Sequence, residues 1–195
     1  MTYIVLASSS PRRKELLSQA NIPFTVHAAN TDETIAPGTH PAKAVEELAV
    51  RKAEAVWAKY PDKVVIGADT VVVLEDRILG KPETEQEAME MLSLLSGRTH
   101  AVYTGVAIVS PKEKAVFHAK TDVDFWELTK AEITAYIKTG DPFDKAGSYG
   151  IQTAGALFVQ AIHGDYFNVV GLPISLLYRR LRQMGFLEDC VRPAE

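Results

Sequence analysis

The sequence predicts an α/β fold built on a mixed, twisted β-sheet flanked by helices, and three observations carry that prediction. The chain opens on a βα unit: a short apolar run, residues 3–7, leads into PRRKELLSQA, which reads as a helix. The stretch KVVIGADTVVVLEDRIL has apolar residues that run on without alternation, as in a strand buried on both faces that continues into a hairpin. THAVYTGVAIVS and AVFHAKTDVDFW, joined by Pro111-Lys112-Glu113-Lys114, read as an antiparallel hairpin. Helical crossovers thus alternate with antiparallel pairs. In open α/β sheets of this kind, sites tend to lie at the carboxyl ends of strands.

Each element has its own local signal. In the first helix, residues 11–20, Ser10 stands at the N-cap and Pro11 at the first helical position, where a missing N–H costs nothing. Leu16, Leu17 and Ala20 give it an apolar face. A second strand, residues 24–28, precedes the polar loop AANTDETIAPGTH. Pro41 opens a long helix to about residue 59, with Val45, Leu48, Ala49, Lys52 and Val56 on one face. Thr84-x-x-Glu87 and Thr129-x-x-Glu132 are capping boxes that start two further helices. The first has Ala88, Met91, Leu92 and Leu95 as its buried stripe and stops at Ser96-Gly97; the second ends near Gly140. In the second strand of the hairpin, Ala115, Phe117, Ala119, Thr121, Val123 and Phe125 share one face. After DPFDKAGSYGIQ come two short strands, residues 156–162 and 166–170, and a last helix from Pro173 to near Gly185.

Composition bounds the function. With 195 residues the chain holds one core, a single domain over residues 1–195 with room for two lobes. A net charge of −4 argues against a nucleic-acid polymer as partner, though not against a local basic pocket. Cys190 is the only cysteine, so neither an intrachain disulfide nor a thiolate metal cluster is available. No apolar run approaches a membrane span, and YIVLA is too short for a signal h-region, with its charges on the wrong side. A cytoplasmic protein without membrane association is expected.

Four features go against local preference, which is where functional sites concentrate. Arg12 and Arg13 fall at the second and third positions of the first helix, where its dipole disfavours each cation by roughly 0.3–1 kcal/mol. Either they pair with acids elsewhere, or an anion sits on the helix N-terminus with Ser8, Ser9 and Ser10 around it. Lys52 lies on an apolar stripe: its head either reaches past the core to water or projects into a cleft towards a negative ligand. Asp69 is a carboxylate inside a buried strand, which needs a partner, a hydrogen-bonding shell or a metal. Gly67 and Ala68 beside it leave space for a ligand, and Thr70 adds a hydroxyl. Lys81 sits on the tight turn Gly80-Lys81-Pro82.

Four cations and a buried acid, with Asp32 and Glu33 as further carboxylates, suit a polyphosphate bound with a divalent cation, Mg²⁺ or Mn²⁺. A carboxylate would then orient or deprotonate the attacking water. No GxxxxGK[ST], GxSxG or GxGxxG is present. The five histidines, His27, His40, His100, His118 and His163, are too dispersed for a zinc site.

LASSSPRRKELL, GADTVV, LGKP, LSGRTHAVYTGV, DKAGSYGIQ and NVVGLP occur in the order and spacing of the Maf family, and the resemblance runs from Ile4 to about Arg182. Members are nucleoside triphosphate pyrophosphatases, once regarded as inhibitors of septum formation. The resemblance implies a Maf and inosine triphosphate pyrophosphatase-like fold with an active-site cleft. It also implies hydrolysis between the α- and β-phosphates of a nucleoside triphosphate, with a divalent metal, in a homodimer. It places the proton acceptor at Asp69, phosphate contacts at Ser8, Arg13, Lys52 and Lys81, and the metal at Glu33 with Asp69.

Substrate choice in the family resembles a three-position code. Arg12, Thr70 and Gln152 match the branch acting on dTTP and UTP, whereas a sister branch acting on 7-methyl-GTP carries tryptophan, glutamine and glutamate there. A glutamine amide offers one donor and one acceptor, which suits a pyrimidine edge. Ser148 departs from the alanine common at its position. The related inosine triphosphate pyrophosphatases read more like TxNxxK in the first loop, unlike SSSPRR here. The expectation is therefore an enzyme that removes dTTP, UTP or modified pyrimidine triphosphates. The alternative is a nucleotide-binding regulator of division with little turnover; an intact acid and its cations favour hydrolysis.

Overall fold

The structure, a computed structural model, describes residues 4–187. Its framework is one mixed sheet. β1 (Ile4–Leu6) lies parallel to both β2 (Phe24–Val26) and β3 (Val64–Leu74), joined by α1 (Pro11–Gln19) and α2 (Pro41–Trp57). β4 (Arg77–Leu79) folds back on the end of β3, after a turn in which Glu75 takes a positive φ. α3 (Glu85–Leu95) leads to β5 (Thr99–Val109), which pairs antiparallel with β3. β6 (Lys114–Phe125) and β7 (Val159–His163) extend the sheet antiparallel, in the order β2-β1-β3-β5-β6-β7. α4 (Lys130–Ile137), α5 (Tyr166–Val170) and α6 (Ile174–Gln183) complete the fold. The mixed α/β sheet flanked by helices is the one that the sequence predicts.

Alternation along β3 assigns its two faces. Val65, Val71 and Val73 pack with Val45, Ala49, Ala53 and Val56 of α2. On the opposite face Val64, Ile66 and Ala68 join Leu16, Leu17, Leu177 and Leu181, from α1 and α6. Farther along that face, Val72 and Leu74 join Leu92 and Leu95 of α3 and Ile133 and Tyr136 of α4. Each fully buried aliphatic side chain contributes about 1.5–3 kcal/mol. Residues of both clusters, Val170 of one and Val72 and Val102 of the other, line the cleft.

Helix α2 approaches the sheet more closely than a side chain would allow. A Cβ on Gly67 would lie 2.2 Å from the Ala49 carbonyl, and one on Gly105 would lie 2.3 Å from that of Val45. The space that the sequence assigned to a ligand beside Gly67 is therefore occupied by helix backbone. Close contact there brings Lys52 down onto β3.

Several local expectations are corrected. Residues Tyr166–Val170, expected as a strand, form α5 instead. Asp165 caps that helix, its Oδ1 accepting from the Phe167 amide at 2.8 Å, and the buried Asn168 ties it to the Val102 carbonyl and the Thr121 hydroxyl. Tertiary contacts thus override strand propensity. The preceding strand starts at Val159, after a 3₁₀ turn, Ala154–Phe158. Ser10 occupies the N-cap of α1, but its hydroxyl makes no cap hydrogen bond; its own amide donates to Ser8 Oγ at 3.2 Å. Thr129 and Glu132 form the full capping box. In the other, Thr84 caps Glu87 while the Glu87 carboxylate reaches the Glu83 amide. Tyr3 of the first predicted strand and Cys190 lie outside the described residues.

Candidate active site

The nine residues to which the family resemblance gives a role line one cleft of about 570 Å³: Ser8, Arg12, Arg13, Glu33, Lys52, Asp69, Thr70, Lys81 and Gln152. Sheet geometry explains how they meet. β1 ends at Leu6, opposite Ile66 of β3, and β3 runs on past that end. Ser8 leaves the end of β1, Arg12 and Arg13 begin α1, and Asp69 lies three residues beyond Ile66. The cleft thus opens at the carboxyl end of a parallel strand.

Asp69 and Thr70 are successive residues of β3 and point to opposite faces. Asp69 faces α2, where Lys52 Nζ donates to its Oδ1 at 2.5 Å. The same ammonium lies 2.8 Å from Glu33 Oε1, so one buried cation bridges two carboxylates. Asp69 therefore has the ionic partner that its burial demands, and Lys52 does not simply reach past the core to water. Glu33 reaches the cleft from the loop between β2 and α2. Its neighbour Asp32 bends that loop by accepting from the amide and hydroxyl of Thr34, at 2.8 and 2.6 Å. Asp32 serves the loop and is not part of the cleft lining.

Thr70, on the other face, accepts from Arg13 Nη2 at 3.0 Å and bonds the Thr104 hydroxyl at 2.9 Å. Arg13 Nη1 reaches Ser8 Oγ at 3.2 Å, and Nε donates to the Gly171 carbonyl at 2.8 Å. Three acceptors from three parts of the chain hold this guanidinium flat against the cleft wall. Arg12 behaves differently: its Nη1 pairs with Asp144 Oδ2 at 2.9 Å, the acidic partner that the plainer reading of the pair foresees. Lys81 and Gln152 are exposed at the rim. The turn that carries Lys81 is tied down by the Gly147 amide, which donates to the Gly80 carbonyl at 3.0 Å.

Electrostatics of the cleft favour a polyanion. Five cationic side chains, Arg12, Arg13, Lys52, Lys81 and Lys145, face three carboxylates, Glu33, Asp69 and Asp144. Burial lowers the Arg13 pKa, a cost that Asp69 and Glu33 offset and Arg12 deepens. Burial works to raise the Glu33 pKa, but the hydrogen bond and charge of Lys52, with Lys81 and Arg13, outweigh it and hold the carboxyl below its usual range. The helix N-terminus beneath Arg12 and Arg13, with no side-chain cap, adds partial positive charge on the same side.

Sequence reasoning missed Asp144 and Lys145, which also line the cleft. Both lie in DKAGSYGIQ, where two charged residues in a polar turn give no signal of burial. Among the described residues, no group of three or more His, Cys, Asp or Glu side chains could hold a metal ion by itself, and no helix is long and apolar enough to cross a membrane.

The chain is similar to several known proteins. The dTTP/UTP pyrophosphatase of Bacillus cereus is 55% identical over 183 residues, covering 94% of this chain and 96% of that protein. The dTTP/UTP pyrophosphatase of a Geobacillus species is 56% identical over 186 residues, covering 95% of this chain and 100% of that protein. Among solved structures, the Staphylococcus aureus Ham1 protein aligns over 64% of this chain and 72% of its own, at 20% identity and a TM-score of 0.44. The sequence profile of the Maf-like proteins matches residues 3–184, and the chain belongs to that family.

Proposed function

We propose that the protein hydrolyses dTTP and UTP, and modified pyrimidine triphosphates of similar shape, to the nucleoside monophosphate and pyrophosphate. The observation that carries the reading is the bridging of Asp69 and Glu33 by Lys52 inside a cleft otherwise rich in cations. In the proposed reaction water attacks a phosphoryl group and the bridging P–O bond between the α- and β-phosphates breaks, releasing pyrophosphate. Asp69 takes a proton from that water. Its Oδ1 is held by Lys52, which fixes the carboxylate in the cleft. Arg13, held by Ser8, Thr70 and Gly171, offers a guanidinium whose direction is set before substrate arrives, and such preorganisation favours charge that builds in the transition state. Ser8, Arg13, Lys52 and Lys81 hold the phosphates, while Arg12, Thr70 and Gln152 select the base.

Two carboxylate side chains fit a Mg²⁺ or Mn²⁺ ion, which binds through one or two carboxylates together with substrate phosphate oxygens and water. Glu33 and Asp69 would hold it, and when bound it neutralises phosphate charge. The core clusters on either side of the cleft support a reading of residues 1–195 as one domain with two lobes. A cytoplasmic homodimer is the assembly that we infer from family membership.

A pyrophosphate-release assay over a nucleotide panel with Mg²⁺ or Mn²⁺ tests the reading. Release from dTTP and UTP well above that from purine triphosphates is expected. Activity on a purine triphosphate alone would refute the assignment of substrate.

A further inference from the structure

Arg12 and Gln152 stand on separate parts of the chain, yet one ionic cluster centred on the buried Lys145 ties them together. Lys145 has only 9% of its side chain exposed. Its ammonium donates to Asp144 Oδ1 at 2.5 Å, to Asp141 Oδ1 at 3.0 Å and to the Asp141 carbonyl at 2.7 Å. Asp144 gives its other oxygen to Arg12 Nη1 at 2.9 Å. Asp141 gives its other oxygen to the Thr153 hydroxyl at 2.5 Å and to the Tyr136 hydroxyl. Tyr136 in turn accepts from the Gly150 amide at 3.0 Å, and Thr153 Oγ1 closes onto the Gly150 carbonyl at 2.9 Å. Gly150 and Thr153 bracket Gln152. The lysine stem lies so close to Gly150 that a Cβ there would meet its Cε at 2.5 Å.

We propose that Lys145 is a positioning residue for base selection: through Asp144 it sets Arg12, and through Asp141 and Thr153 it sets the loop that carries Gln152. The inference rests on the pyrophosphatase reading above and extends it to residues that this reading leaves without a role. The buried Lys145 ammonium is fixed in place by its bonds to the mostly covered Asp141, because losing that partner would leave an uncompensated charge, and Asp144 carries its pull outward to Arg12. The cluster therefore acts as a rigid spacer between the start of α1 and residues 150–153. A base gripped between Arg12 and Gln152 is selected by that spacing, since a hydrogen-bonding site rejects a ligand whose donors and acceptors do not register with it.

Asp144 is the member to change, because 61% of its side chain is exposed and its replacement leaves the core intact. Asp144→Asn keeps the shape and removes the charge that holds Arg12. The experiment measures kcat and KM for dTTP, UTP, CTP and GTP in the parent, Asp144→Asn and Asp144→Glu, with thermal melts as the check on folding. The expected result is a rise in KM for dTTP and UTP of about tenfold in Asp144→Asn, with kcat changed less than about threefold. The preference for dTTP and UTP over CTP and GTP shrinks accordingly, and Asp144→Glu recovers part of it. A parent inactive on dTTP and UTP overturns the functional reading and this inference with it. A selective parent beside an equally selective Asp144→Asn overturns the inference alone, as does a loss confined to kcat or a fall in KM.

Discussion

Arg12 and Arg13 are adjacent in sequence and alike in chemistry, but their surroundings divide them. Arg13 is half-buried and held by three acceptors, whereas Arg12 reaches outward to Asp144. Only a planar fork of donors can satisfy Ser8, Thr70 and Gly171 at once, so lysine is no substitute. Arg13→Lys is expected to lower kcat/KM for dTTP by about 10²-fold, while Arg12→Lys costs less in rate and more in selectivity; steady-state kinetics on both variants checks this. Such residues were legible in the sequence because each breaks a local rule: a cation at a helix N-terminus, a lysine on an apolar stripe, an acid in a buried strand. Asp144 and Lys145 broke none, since charged residues in a turn look like a solvated loop. Burial turns that pair into part of the cleft, and burial of a loop has no periodicity to reveal it.

Between elements, the decisive contact is helix α2 against β3 and β5. Gly67 and Gly105 let backbone meet backbone, and Lys52 reaches Asp69 only because they do. Gly67→Ala forces a Cβ to within 2.2 Å of the Ala49 carbonyl. The helix must shift outward, with a loss of about 1–3 kcal/mol in stability and a larger loss in activity than stability alone explains. Thermal melts and kcat/KM, measured on the same preparation, separate the two effects. Here too the sequence speaks unevenly. The buried strand and the long helix announce themselves by pattern, but nothing in GAD says whether the glycine makes room for a ligand or for a helix. α5 was the harder case, because five residues suited to a strand become a helix through a cap at Asp165 and the buried amide of Asn168.

At the scale of the molecule, the sheet links the cleft to the core through Tyr149, which lines the cleft and meets His100 Nε2 at 2.8 Å. His100 packs edge-on against Phe125 and Tyr149, and burial lowers its pKa from 6.5 to about 4 despite the pull of Asp124 and Asp122. The unfolded chain therefore binds a proton between those values that the folded chain does not, so stability falls as pH drops from about 6.5 towards 4. Equilibrium denaturation across that range is expected to show the slope, and His100→Gln, which keeps a partner for Tyr149, is expected to flatten it.

In the proposed reaction Asp69, held by Lys52, takes the proton from water in a triphosphate-hydrolysing cleft. Asp69→Asn tests it most directly, with pyrophosphate release from dTTP measured beside nucleotide binding by calorimetry. A fall in turnover of about 10³-fold or more, with binding retained, is expected. Turnover at the parent rate in that variant would contradict that role for Asp69.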